Sequence, residues 1–557
     1  MFPTLAHHAD VCVIGGGMAG VCAALAAARH GAQVVLMHDR PVLGGNASSE
    51  VRVHICGADR HNGVKNMRET GILEELRLEN LYRNPNKNFS VWDLLLYDTL
   101  RAEPNLTLLL NCSCLEAAME GTHIASVTGW QTTAQRYHTV TAKVYVDSSG
   151  DSVLAPLTGA EFRVGREARS EFGESIAPEK ADRCTMGMTC LFHARQHAAP
   201  QTFAPPAWAH RYDTCEQLPY GARGHTWFEM GYWWIELGGV HDSIHDTEHL
   251  RDELLKITLG VWDHIKNRCP HREKAATYAL EWLQFLPGKR ESRRYAGDHI
   301  LTQLDIESEG RFEDLVAYGG WSMDDHHPEG FNAVTLGAPA TIFHHAPSPY
   351  GIPYRSLYSK NITNLMCAGR NVSCTHAALS SLRVMGTGCS VGQAVGTAAA
   401  LAVKKGISPR GMGTHMRALQ QQLLYDDCYL PWMPQQFSTL TMHAHLAASH
   451  GDPAPVRDGI NRPVGDDPHC WPCTPGAWIE YRFDGARRVA QATLIVDSGL
   501  DQNVAMSWHQ RDDQHTSPPG VLPRALRVET LQRGTWQPLA SLTNNYQRVV
   551  RVPVNKK

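Results

Sequence analysis

Residues Asp10 to Gly20 read Asp-Val-Cys-Val-Ile-Gly-Gly-Gly-Met-Ala-Gly. The apolar run Val11 to Ile14 stops at a glycine cluster, and an alanine-rich stretch follows. That order predicts a strand, a tight turn and a helix. Gly15 permits the turn, Gly17 lets the main chain approach a pyrophosphate, and Gly20 lets helix and strand pack closely. Free N–H groups at the helix start, where Met18 and Ala19 stand, favour an anion there through the helix dipole. Met18 to His30 holds six alanines and ends at Gly31, a good C-terminal stop. A second strand, Gln33 to Met37, follows at once, which completes a β–α–β unit. An acidic residue for ribose hydroxyls is expected about 20 residues past the last glycine. Asp39 stands there, while His38 occupies the place where a glutamate would first be sought.

A chain of 557 residues has room for two to four domains with sizeable cores. Its 19% charged and 43% hydrophobic residues fit a folded, soluble protein. The net charge of −4 gives no footprint for nucleic acid and no polybasic membrane signal. No apolar stretch reaches membrane-spanning length. The N-terminus runs straight into the first strand, so no secretory signal is expected. Several of the fifteen cysteines sit in apolar or alanine-rich patterns (Cys12, Cys22, Cys389), where cysteine packs as a small hydrophobe. A reducing, cytoplasmic setting is expected. No metal is expected either. Cys470 and Cys473 form a single Cys-x-x-Cys, read as an incidental pair, and His7-His8, His326-His327 and His344-His345 are read as loop residues.

Along the chain, residues 1–158 read as the first part of a nucleotide-binding domain. Thr70 to Arg83 and Ser90 to Ala102 are amphipathic helices, and Leu106 to Leu110, Ile124 to Val127 and Lys143 to Val146 are strands. Residues 159–345 are richer in Trp, Tyr, His and Gly and read as an inserted α+β substrate domain. Helices are expected there over Asp246 to Lys266 and Glu273 to Phe285, and a strand over Gly231 to Leu237. Residues 346–410 return to the nucleotide pattern, with a strand from Asn364 to Ala368 and a long helix opening near Gly386. Residues 411–454 are a helical linker. In residues 455–557, Ile479, Tyr481 and Phe483 alternate with polar residues, as do Leu526, Val528 and Thr530, and a β-sandwich is expected.

Three more stretches add detail: Asp39 to Glu50, Asp147-Ser-Ser-Gly-Asp151, and Cys367 to His376 with Arg383 to Gly388. Together with the first motif they resemble the bacterial FAD-dependent oxidoreductases of glutathione-reductase-like fold, related to the fumarate reductase flavoproteins. The C-terminal part resembles galactose-binding-like sandwiches. The fold implied is a Rossmann-like FAD-binding α/β domain interrupted by a substrate domain. The resemblance implies that Gly15, Gly17 and Gly20 hold the FAD pyrophosphate and that Asp39 and Arg40 lie near the adenosine ribose. Gly44, Gly45, Asn46, Ser48 and Ser49 would run along the pyrophosphate and ribityl chain. Asp151 would bond the ribityl or phosphate region, and Gly150, Gly369 and Arg370 would also bind the cofactor. Gly386, Thr387 and Gly388 would set a helix start at the flavin pyrimidine, where a dipole stabilises negative charge.

No cysteine pair follows the Gly44-Gly45 turn, which argues against a dithiol relay, and no second nucleotide fingerprint appears. Candidate catalytic groups are Arg52 and His54, expected on one face of a strand; Arg290 in the basic run Lys289 to Arg294; and His376. Arg52 could stabilise a flavin anion, His54 or His376 could act as the base for a hydroxyl proton, and Arg290 could clamp a carboxylate or hydroxyl. Trp321 to His327, with Asp324 and Asp325, is read as a surface loop able to bind polyols. The expected activity is hydride transfer between flavin N5 and a small polyhydroxylated or carboxylated, sugar-derived substrate. A flavin-dependent RNA-modifying protein and a carbohydrate-binding protein with a vestigial flavin site are the alternatives. The oligomeric state is left open.

Overall fold

The computed structural model describes residues 2–59, 63–507 and 514–556. Its largest sheet has seven strands: β1 (Thr4–Ile14), β2 (Val34–Met37), β3 (Leu106–Leu109), β4 (Cys112–Glu120), β5 (His123–Gln131), β6 (Arg136–Asp147) and β7 (Leu365–Cys367). The order is β3-β2-β1-β6, all parallel, continued by the antiparallel meander β6-β5-β4. The start of β6 pairs with β5, and its end pairs in parallel with β7. The chain thus leaves this sheet at Asp147 and rejoins it more than 200 residues later. Val11 to Ile14 and Val34 to Met37 are wholly buried, the continuous apolar run that a parallel strand covered on both faces requires.

Helix α1 (Met18–Arg29) covers one face, and the later helices α2 (Ile72–Arg83) and α3 (Phe89–Arg101) pack nearby. The Asn88 side-chain Oδ1 accepts from the main-chain N–H groups of Ser90 and Val91 and so caps α3. Helix α4 (Thr247–Asp263) carries the middle region, whose own core gathers Met188, Phe192, Tyr232, Trp234, Leu254 and Trp262. Near the sheet lie α5 (His376–Leu382), α6 (Met385–Lys405) and α7 (Met416–Tyr425). Helices α1 and α6 meet backbone to backbone. A Cβ on Gly392 or Gly396 would stand 2.2 Å from the Ala19 oxygen or 2.1 Å from the Ala23 oxygen.

Four expectations need correction. Glu273 to Phe285 is not a helix but a 3-10 turn, Arg272–Ala275, and then a strand, Tyr278–Leu283, paired antiparallel with Phe192–Gln196. Its Tyr and Trp suit a pleated surface, and the available partner strand overrides helical propensity. In Gly231 to Leu237 only Glu236–Leu237 is strand, because a turn at Tyr232 swings Trp234 and Ile235 into the core. Trp321 to His327 is no surface loop: Met323–His326 is a strand paired with Thr341–His344, and Trp321, Met323 and His326 are buried.

The C-terminal sandwich does not form as expected. Its described residues hydrogen-bond into separate two-stranded ribbons: His445–Ala448 with Ile479–Arg482, Val489–Ile495 with Val549–Lys556, and Leu526–Gln532 with Thr535–Leu542. Trp478, Leu531 and Trp536 stay exposed. The region docks on α2 through a small apolar cluster, Leu78 and Leu81 with Val504 and Leu522, and through buried polar groups. Arg68 pairs with Glu74 and donates to the carbonyls of Ser498 and Gly499, and Arg548 pairs with Asp427.

Candidate functional site

The turn after β1 is held by its glycines. Gly15 has φ +100°, and a Cβ there would lie 2.5 Å from the Ser148 main chain. A Cβ on Gly20 would lie 1.9 Å from the Gly15 oxygen. Gly17 differs: it has ordinary extended backbone, and nothing lies within 4 Å of where its Cβ would be. It caps α1 without a side-chain bond, and the first turn of α1, with Met18 and Ala19, holds no acidic residue. Open space over uncapped N–H groups is what an anionic diphosphate needs. His38 explains its own place: buried at the end of β2, its Nδ1 accepts the Gly16 N–H at 3.0 Å and pins the turn.

The other glycines converge here. Gly44 N–H donates to the Gly16 oxygen, and a Cβ on Gly45 would come 3.1 Å from the Gly17 Cα. A Cβ on Gly369 would meet the Ala19 Cβ at 3.4 Å, and one on Gly388 at 3.9 Å. The start of α6 is therefore beside the start of α1. Helix α6 also lacks a side-chain cap and an acidic first turn, and Gly386 N–H donates to the Cys56 oxygen at 2.8 Å. Around this cradle Ser148 Oγ, Thr387 Oγ1, Arg370 Nε and Asn371 Oδ1 are buried with no hydrogen-bond partner among the described residues. Buried polar atoms of this kind want a ligand.

Asp151 anchors the side of the cradle. Arg370 and Lys289 each reach it at 2.8 Å, and Ser292 donates to it. Burial raises its pKa, but the two cations outweigh that and hold it down at about 2. Asn46 Nδ2 and Arg370 both donate to the Lys289 oxygen, and Gly150 sits against the Arg370 guanidinium. Asn46, Gly150, Asp151 and Arg370 are thus one cluster. Ser48 is buried and accepts from Glu50 N–H, while Ser49 N–H donates to Asp93. Arg40 pairs with Glu50 at 2.6 Å, and Asp39 is 61% exposed.

A second group lies beside the α5–α6 junction. His376 opens α5 rather than lying in a loop, because Thr375 caps the helix. Its Nδ1 is 2.8 Å from Glu291 and its Nε2 3.1 Å from Asp325. Both ring nitrogens face carboxylates, which only the imidazolium can satisfy. Burial lowers its pKa, but Glu291 and Asp325 outweigh that and push it up to about 10. Arg294 pairs with Glu291 and, at 2.8 Å, with Glu167. Next to this, His326 lies between Glu236 at 2.5 Å and Asp324 at 3.4 Å. Arg290 reaches Glu236 at 3.3 Å and Arg383 reaches Asp324 at 3.0 Å. Burial would raise the Glu236 and Asp324 carboxyls, yet the cations and His326 hold both low.

Of the four candidate catalytic residues, the fold brings Arg290 and His376 into this network and leaves Arg52 and His54 outside it. Residues 52–57 are not a strand; Arg52 has φ +56°, so the expected alternation fails. Its guanidinium lies 4.5 Å over the Trp282 ring. His54 lines a small cavity with Arg77, Asn80, Trp92 and Met506. Sequence reasoning missed Glu236 and Glu291 and read His326 only as a loop residue, because the network's members come from segments tens of residues apart. Glu69 was missed too. It is buried against Gly57 and Gly386 at the start of α6, and burial raises its pKa.

No helix among the described residues is long and apolar enough to cross a membrane. No curated protein matches the chain significantly. Among solved structures, a myxobacterial chondrochloren halogenase, CndH, is 14% identical, with 76% of this chain and 85% of that chain covered at a TM-score of 0.33. E. coli quinol fumarate reductase FrdA is 12% identical, with 76% and 75% covered and a TM-score of 0.30. A geranylgeranyl bacteriochlorophyll reductase-like protein from Thermoplasma acidophilum is 14% identical, with 75% and 84% covered and a TM-score of 0.31. A family model described as FAD dependent oxidoreductase matches residues 10–423. The chain belongs to that family, and it is an FAD-dependent oxidoreductase whose glycine cradle fits its cofactor.

Proposed function

We propose that this oxidoreductase acts on a small substrate bearing hydroxyl or carboxylate groups, with polyols and sugar-derived acids the first class to test. The observation that carries the reading is the buried row Arg290, Glu236, His326, Asp324, Arg383 beside the start of α6. Alternating donors and acceptors match groups that both give and accept hydrogen bonds, and they would be costly to leave facing an apolar molecule. FAD would be held by Gly15, Gly17 and Met18, by Gly44, Gly45 and Asn46, by Arg370, and by Thr387 and Gly388. When bound it supplies a two-electron acceptor or donor.

The chain's own residues then divide the work. Arg290 and Arg383 bind and orient the substrate's oxygens, since a guanidinium offers planar paired donors. His376 cannot be the base expected of it, because it is already protonated near neutral pH; it holds a positive charge and a proton at Nε2 toward Asp325. Asp325, 22% exposed and the most accessible member of the network, is held ionised by His376 and can accept a hydrogen bond from a substrate hydroxyl.

The test is anaerobic mixing of the purified holoenzyme with polyols, uronic acids and hydroxy acids, against apolar alcohols of the same size. Loss of the oxidised flavin band with the first set, and a higher half-saturating concentration in Arg290→Ala at unchanged flavin content, is the expected result. Bleaching by the apolar set alone contradicts the proposal.

A further inference from the structure

Four side chains in the middle region meet at one point, away from the cradle. Cys215, His225, His264 and Cys269 are all buried, and their ligand atoms lie within 4.8 Å of one another. Cys215 Sγ is 3.4 Å from His264 Nε2, 3.6 Å from His225 Nε2 and 3.9 Å from Cys269 Sγ. Cys269 Sγ is 3.3 Å from His225 Nε2. A tetrahedral zinc ion with Zn–S near 2.3 Å and Zn–N near 2.0–2.1 Å would set S···S at about 3.8 Å and S···N at about 3.6 Å. A disulfide would need the sulfurs at about 2.05 Å.

The surroundings suit a metal. His264 Nδ1 donates to the Tyr212 oxygen at 3.0 Å, which fixes the tautomer that turns the Nε2 lone pair inward. The His271 main-chain N–H donates to Cys269 Sγ at 3.4 Å, a bond that stabilises a thiolate. A π-turn, His264–Arg268, ends α4 and brings His264 and Cys269 to the same point. Such turns recur at functional sites. Cys215 opens a 3-10 turn and His225 closes another, in a stretch of chain with few regular elements. Four closed ligands would stitch that stretch to the end of α4.

We propose that Cys215, His225, His264 and Cys269 bind one structural zinc ion. Two thiolates and two imidazoles are a zinc donor set, and with four protein ligands no position is left for substrate. The proposal departs from the sequence expectation of no metal. The spacing Cys-x9-His-x38-His-x4-Cys contains one compact pair, His264 and Cys269, and only the fold brings Cys215 and His225 to it.

Elemental analysis of the purified, FAD-loaded full chain tests this. About one zinc per chain is expected, lost in Cys269→Ser and in His225→Ala and kept in the double variant Cys470→Ser/Cys473→Ser. Should the single variants prove insoluble, the intact protein decides: cobalt grown in place of zinc gives tetrahedral bands at longer wavelength than the flavin's, with thiolate charge transfer. A chain that carries no metal and takes up neither zinc nor cobalt overturns the proposal. So does zinc lost with Cys470 and Cys473, or a mapped Cys215–Cys269 disulfide.

Discussion

The glycine cradle and the acid–base network sit within one molecule but are built on opposite principles. The cradle is steric. Its floor is backbone, glycines and helix ends, braced at one side by the Asp151 ion pairs, and a single added carbon at Gly20 would come 1.9 Å from the Gly15 oxygen. The network is electrostatic. His376, Glu291 and Arg294 are large, polar and buried, Asp325 is half-buried, and each depends on a charge supplied from a distant segment. The cradle should therefore respond to size and ignore pH, and the network should respond to charge and pH while leaving flavin content alone.

The sharpest way to break that contrast is at the cradle's tightest contact. Gly20→Val forces a side chain into the Gly15 main chain, so α1 cannot seat. A stability loss of more than about 3 kcal/mol is expected, at the upper end for overpacking, with no flavin retained after purification. Urea denaturation and the flavin-to-protein absorbance ratio check it. A folded, flavin-bearing variant would mean that the contact is looser than described.

In the network, Glu291→Gln keeps the shape and removes the charge between two buried cations. Breaking one member of a buried ionic set costs about 3–5 kcal/mol. The variant should be less stable by that order yet bind FAD with wild-type affinity when folded, as titration of the apoprotein would show. A parallel loss of FAD affinity would merge the two regions into one.

The third effect is smaller and has a definite sign. The folded pKa of His376, about 10, lies above its unfolded value of about 6.5. Its contribution is therefore complete below pH 6.5 and is lost as pH rises through the interval up to about 10. Wild-type stability should fall there by up to roughly 1.4 kcal/mol per pH unit. Glu291→Gln should show a flatter profile over the same range. Equal slopes in both proteins would remove His376 from the network's electrostatics.

The same contrast explains what the sequence reveals. The cradle was legible because local rules make it: an apolar run, a glycine cluster and an alanine-rich helix lie within 30 residues, and α6 opens one residue from where its glycines suggest. Arg290 and His376 were legible as isolated polar residues in unusual places. Their partners Glu291 and Glu236 were not, and Asp325 was read only as part of a polyol-binding loop, since no periodicity links positions 236, 291, 325 and 376. Arg52 and His54 were placed on one strand face because alternation presumes a strand, and one left-handed residue undoes it. The Tyr278–Leu283 strand was misread as helix because its partner, Phe192–Gln196, lies some 85 residues away. The C-terminal ribbons show the converse: local alternation was present, but docking through Arg68, Arg548 and a small apolar cluster, Leu78 and Leu81 of α2 with Val504 and Leu522, shapes that region.

The central claim is that the diphosphate of FAD lies over Gly17 at the start of α1. Gly17→Ala tests it most directly, because the structure leaves open space there and the backbone suits any residue. The apoprotein should melt at the wild-type temperature, while FAD Kd rises at least about tenfold, the equivalent of roughly 1.4 kcal/mol of steric conflict. Unchanged FAD affinity in a normally folded Gly17→Ala protein would contradict the account.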